Sequence, residues 1–204
     1  MTLDVVALRG GLARVAAAME RDFEMLNAAD GALGDGDLGV TMTRGMRAIA
    51  GKADEMPEDL GAALLQCAQA FTKSSGSSYG TLMAKGLMTT AKALKGRSTV
   101  EAAEMSDLVA AARDQMQVLG KAELGGKTVL DSLDAVAKAI AGKTTPAQVA
   151  DAAAGAVDTA LDAFRDRKAT IGRARIFGDK SVGMDDPGML AMSRIVKALA
   201  DGEG

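Results

Sequence analysis

The sequence contains no histidine and no tryptophan. Without histidine, the commonest general base, proton shuttle and zinc ligand is missing. Any chemistry must rest on carboxylates, lysines and arginines, hydroxyls, backbone N–H groups or a bound ion. Aromatic residues make up only 2% of the chain, so the core falls to Ala, Leu, Val, Ile and the 13 methionines. Small residues let helices approach closely and methionine fills irregular gaps. That composition points to an all-α protein. A single cysteine, Cys67, excludes an internal disulfide. It lies in the amphipathic segment LGAALLQCAQAF and reads as a small buried hydrophobe, not a reactive thiol. No apolar run approaches the length of a membrane span, because glycine and charge interrupt every one. The N-terminus, MTLDVVALRG, has no basic stretch ahead of an apolar core, so no secretory signal is expected. A cytoplasmic location with no membrane partner follows as the expectation. The formal net charge is -3 with no long basic run, which argues against nucleic acid as a partner.

What is present is helical periodicity. Apolar residues recur at helical spacing through residues 3–27, 40–50, 56–73, 81–94, 99–122, 127–142, 145–169 and 189–200. Start and stop signals agree. Pro57 stands near a helix start, Thr145 caps a helix whose first residue is Pro146, and Gly142 suits a C-terminal cap. The count is about eight helices, with no convincing strand and no internal repeat. Residues 1–204 are expected to form one domain with a substantial core.

Four of the breaks are polar and glycine-rich, and such loops on a rigid frame are where function tends to sit. The first, AADGALGDGDLGVTM, places Asp30, Asp35 and Asp37 within eight residues. Crowded carboxylates repel unless a cation neutralises them, and hard oxygen ligands suit Mg²⁺ or Ca²⁺. An EF-hand fails here, since Gly39 and Met46 occupy two of its ligand positions. A solvated turn with capping aspartates is the bland alternative. The second loop, KSSGSSYGT, reads as a phosphate cradle before a helix or as a plain linker. The third, KAELGGKTVLDSL, is not a P-loop, because Lys121 stands where its first glycine is required and no strand precedes it. Its Lys127, Thr128 and Asp131 read as groups near a ligand or as ordinary caps. The fourth, GRARIFGDKSVGMDDPG, offers Arg173, Arg175 and Lys180 to phosphate or to surface ion pairs. Together the four loops suggest a nucleotide–Mg²⁺ site.

GDGDLGVTM, SSGSSYGT, GKAELGGKTVLDSL and GRARIFGDKSVGMDDPG resemble, in order, four segments of the nucleotide-binding L subunit of dihydroxyacetone kinases. The resemblance spans nearly the whole chain. It implies a closed barrel of eight antiparallel amphipathic helices whose loops at one end hold ADP or ATP with two Mg²⁺ ions. Asp30, Asp35 and Asp37 would be the metal ligands. Leu38, Gly39, Val40 and Thr41 would pass along the nucleotide, and Ser74 and Ser75, beside Gly76, would donate to phosphate. Gly120 and Val129, with Thr128 adjacent, would line the adenine or ribose side. Arg173 and the turn Asp186, Pro187, Gly188 would close the site. The ketose would sit on a separate K subunit. The phosphoryl group would come from a phosphotransferase-system M subunit through bound ADP, or from free ATP. A nucleotide-dependent regulatory module is a further reading. Leu38 and Met184 depart from the family pattern, which commonly carries histidine at both positions, and Thr41 stands where Asn is frequent.

Overall fold

The computed structural model describes residues 2–202. The first two helices, α1 (Val5–Arg21) and α2 (Phe23–Leu33), are parted only by Asp22, and backbone bonds run through it (Asp22 N to Ala18 O 2.9 Å, Leu26 N to Asp22 O 3.0 Å). They therefore act as one limb, and both pack on α3 (Leu38–Ala50) and α9 (Pro187–Ala200). Between α3 and α9 come α4 (Leu60–Ser74), α5 (Ser78–Ala93), α6 (Met105–Gly120), α7 (Val129–Ile140) and α8 (Pro146–Arg165). Among the described residues the limbs number eight, as periodicity predicts. Each packs on the next in sequence, and α9 returns to pack on α1, so the contacts close a ring.

The capping signals hold. Thr145 accepts from Gln148 N ahead of Pro146, Asp186 accepts from Met189 N ahead of Pro187, and Gly142 follows α7 with φ +75°. Two expectations need correction. The acid-glycine stretch is not a long gap: α2 runs to Leu33 and α3 begins at Leu38, leaving only residues 34–37 as turn. Leu33, Leu38 and Met42 are buried, so the apolar face continues through it, hidden in the sequence among small residues. There is also a strand pair. β1 (Thr2–Asp4) runs antiparallel to β2 (Thr99–Glu101), each too short to show alternation.

The core is aliphatic and methionine-rich. Met19, Leu26, Met42, Ile49, Met116, Val157 and Met189 are fully buried, together with Phe71 and Cys67. Burying each large side chain contributes about 1.5–3 kcal/mol relative to leaving it exposed. No helix among the described residues is long and apolar enough to cross a membrane.

Candidate nucleotide and metal site

In a ring of helices that alternate in direction, every second connection emerges at the same end. The α2–α3, α4–α5, α6–α7 and α8–α9 connections do so here. They meet around one cleft of about 890 Å³, within the usual range for small-molecule sites.

The acidic turn forms one wall. Suitable carboxylate oxygens of Asp30, Asp35 and Asp37 all lie within 4.8 Å of one another. Their placement follows from how α3 begins. Asp30 Oδ2, from the last turn of α2, accepts the N–H groups of Asp37 (2.9 Å) and Leu38 (3.2 Å). Asn27 Oδ1 accepts those of Gly39 (2.8 Å) and Val40 (3.3 Å). The orphan donors of α3 are thus satisfied from α2. Asp37 stands at the N-cap of α3, yet its side chain makes no capping bond there. This close approach demands glycine twice. A Cβ on Gly34 would overlap Asp30 Oδ1, and one on Gly39 would overlap the Phe23 carbonyl. Three clustered carboxylates, two of them exposed, are the hard donor set that suits Mg²⁺.

Facing them is the α8–α9 loop, which holds a 3₁₀ helix, Arg173–Ser181. Its Ala169 and Ala174 pack on Leu33, so the loop is seated on the end of α2. Arg173 forms an ion pair with Asp35. Arg165 binds Asp185 at 2.8 Å, and Arg167 lies over the Phe164 ring.

The remaining walls come from the other loops. Ser77 caps α5 through Gly80 N (3.0 Å), and Ser77 and Ser78 line the cleft. Ser74, Ser75 and Gly76 do not line it, and the Ser74 hydroxyl is spent on Phe71 O (2.9 Å). Thr128 caps α7 in a reciprocal box with Asp131, which also accepts from Gly125 N (2.5 Å). Thr128, Val129 and Gly120 line the cleft beside Lys121, as do Leu82, Met116 and Leu119. Asp186, Pro187 and Gly188 close it, and the Tyr79 hydroxyl donates to Gly188 O (3.2 Å). Burial pushes the Tyr79 phenol well up from its ordinary pKa, with nearby Asp186 adding to the shift. Leu38 lines the cleft, whereas Gly39, Val40 and Thr41 lie outside its wall, in the first turn of α3. Ser77, Ser78 and Tyr79 escaped the sequence reading, although an N-capping serine is a recognisable signal. Lys127 is absent from the cleft and fully buried.

The DAK2 domain family matches residues 32–201. The chain belongs to this family. The match begins just past Asp30 and takes in the other loops of the cleft. Among relatives, the chain is 33% identical over 184 residues to the triokinase/FMN cyclase of Bos taurus, covering 87% of this chain and 32% of that protein. It is 33% identical over 179 residues to the L-erythrulose 1-kinase of Mycolicibacterium smegmatis, covering 84% and 31%. The chain thus spans about a third of these two relatives. The ADP-binding subunit DhaL of PEP-dependent dihydroxyacetone kinase 1 from Listeria innocua is 27% identical over 186 residues, covering 91% and 90%. Among solved structures, the dihydroxyacetone kinase from C. freundii in complex with AMP-PNP and Mg²⁺ superimposes with a TM-score of 0.76 at 25% identity, over 96% of this chain and 33% of that one. The DAK2-domain assignment agrees with the resemblance carried by the four loop segments.

Proposed function

We propose that this chain is the nucleotide-binding component of a kinase for dihydroxyacetone or a related short ketose. Residues 1–204 act as one ADP/ATP-binding domain in the cytoplasm. The observation that carries the reading is the cleft itself, where a three-carboxylate turn and an arginine from a distant loop meet among helix N-termini. Asp30, Asp35 and Asp37 would hold two Mg²⁺ ions, which would offset charge on the nucleotide phosphates. Arg173 then serves the transferring phosphate with a guanidinium donor. The first turn of α5, at Ser77 and Ser78, presents N–H groups and hydroxyls to phosphate. Leu82, Met116, Leu119 and Val129 offer the base an apolar wall. The ketose would be presented by a separate K subunit. Phosphoryl supply through a phosphotransferase-system M subunit is the first reading, supported by the DhaL relatives, which are subunits of PEP-dependent dihydroxyacetone kinases. Direct use of ATP is the second, favoured by the higher identity to the triokinase and erythrulose kinase relatives.

Titration calorimetry tests the site. ADP is expected to bind with Mg²⁺ and to lose most of its affinity in chelator. Asp35→Ala is expected to abolish the Mg²⁺-dependent part with helix content unchanged by circular dichroism. Unaltered ADP affinity in that variant sinks the metal assignment. Adding a K subunit and ketose, with either ATP or the phosphotransferase proteins, separates the two donors.

A further inference from the structure

Lys127 is the one lysine among the described residues with no exposed surface. It also has a left-handed backbone, φ +63°. Its ammonium donates to three carbonyl oxygens: Arg165 and Arg167 at 2.9 Å each, and Ser181 at 2.6 Å. All three of its protons are used, so it has none left for a ligand. Burial depresses its pKa, and the charges of Asp186 and Asp185 oppose that shift. The three acceptors bracket one piece of chain. Arg165 and Arg167 are where α8 ends, and Ser181 is where the 3₁₀ helix ends. Between them lies the loop that carries Arg173.

The neck of this loop is tied elsewhere too. Gly183 N donates to Arg165 O (2.9 Å), and Ala169 N donates to Ser181 Oγ (2.9 Å). Those bonds hold the loop to itself. Lys127 differs because it comes from the start of α7, where Thr128 and Val129 line the cleft. Thr170 N donates to Gly126 O (3.2 Å) along the same seam. This ammonium, with that one backbone bond beside it, therefore fixes the arginine loop against another cleft wall.

We propose that Lys127 is a positioning residue that holds Arg173 at the phosphate end of the cleft by clamping both ends of its loop to the segment that leads into α7. This rests on the reading that Arg173 meets phosphate. It also gives the GGKT segment a role that needs no P-loop: its lysine grips carbonyls, not a nucleotide.

A double-mutant cycle on the full chain tests it, with Mg²⁺ and ADP as the probe. Arg173→Ala is expected to weaken binding about ten-fold in the native background and less than about two-fold on top of Lys127→Met, because the loop no longer presents the arginine. Lys127→Arg, which keeps charge and donors, is expected to restore part of the Arg173 effect. A costly Arg173→Ala with an additive cycle overturns the positioning role alone. A silent Arg173→Ala in the native background overturns the phosphate role of Arg173 and this inference with it. If Lys127→Met does not fold, Lys127→Gln takes its place. It keeps two donors on a shorter arm, and additivity there overturns the proposal equally.

Discussion

Asp186 caps α9 by accepting Met189 N–H at 2.9 Å while standing on the cleft wall. Burial pushes its pKa from the ordinary 3.8 up to about 7, against the pull of its backbone bonds and of Lys127. A raised carboxyl pKa stabilises the fold below the unfolded value, and that contribution is lost as pH rises through the folded one. The window therefore runs from about pH 4 to about pH 7. Relative to Asp186→Asn, the native protein is expected to lose thermal stability steadily across that window in melting experiments. A constant difference between the two proteins would contradict the assignment. The residues of the site were unevenly legible in the sequence. Asp30, Asp35 and Asp37 are close in the chain, so their mutual repulsion could be read directly. The serines could not be ranked, since SSGSS offers four near-equivalent serines and only the start of α5 at Ser78 selects Ser77 as cap. Lys127 was opaque for another reason: its partners lie far along the chain, and a sequence does not record what a buried ammonium meets. Leu38 stands where the resemblance led us to expect histidine, and it belongs to the main core as well as the cleft.

At the scale of elements, the joint between α2 and α3 governs the placement of the three clustered carboxylates. Two α2 side chains, Asn27 and Asp30, satisfy four N–H groups at the start of α3. Asn27→Ala leaves Gly39 and Val40 without those acceptors and is expected to cost about 1–2 kcal/mol in urea denaturation. It should also weaken Mg²⁺-dependent ADP binding, because the turn that presents Asp35 and Asp37 loosens. Full binding in a destabilised variant would show that the turn keeps its shape without the cap. Helix existence was legible from periodicity and capping. The limits of α2 and α3 were not. Glycine and aspartate have poor helix propensity, yet packing of Leu33 under Ala169 and Ala174 overrides it.

At the scale of the whole molecule, the ring closes where α9 meets α1. Arg14 of α1 donates from Nε to Ala198 O (2.9 Å) and from its guanidinium NH₂ to Leu199 O (3.0 Å), covering carbonyls that the end of α9 leaves open. Arg14→Ala is expected to lower stability by about 1 kcal/mol with unfolding still a single transition. No measurable loss would mean that apolar packing alone holds the seam. Eight limbs could be counted in the sequence, but closure could not, because contacts between the first and last helices leave no local pattern. The seating of the α8–α9 loop on α2 has its own consequence for biosynthesis. The three aspartates emerge from the ribosome before Arg173, which follows only after α8 has been made. A nascent chain thus carries its acidic turn without that arginine until the α8–α9 loop has been made, and the cleft cannot exist in any fragment that stops short of α9.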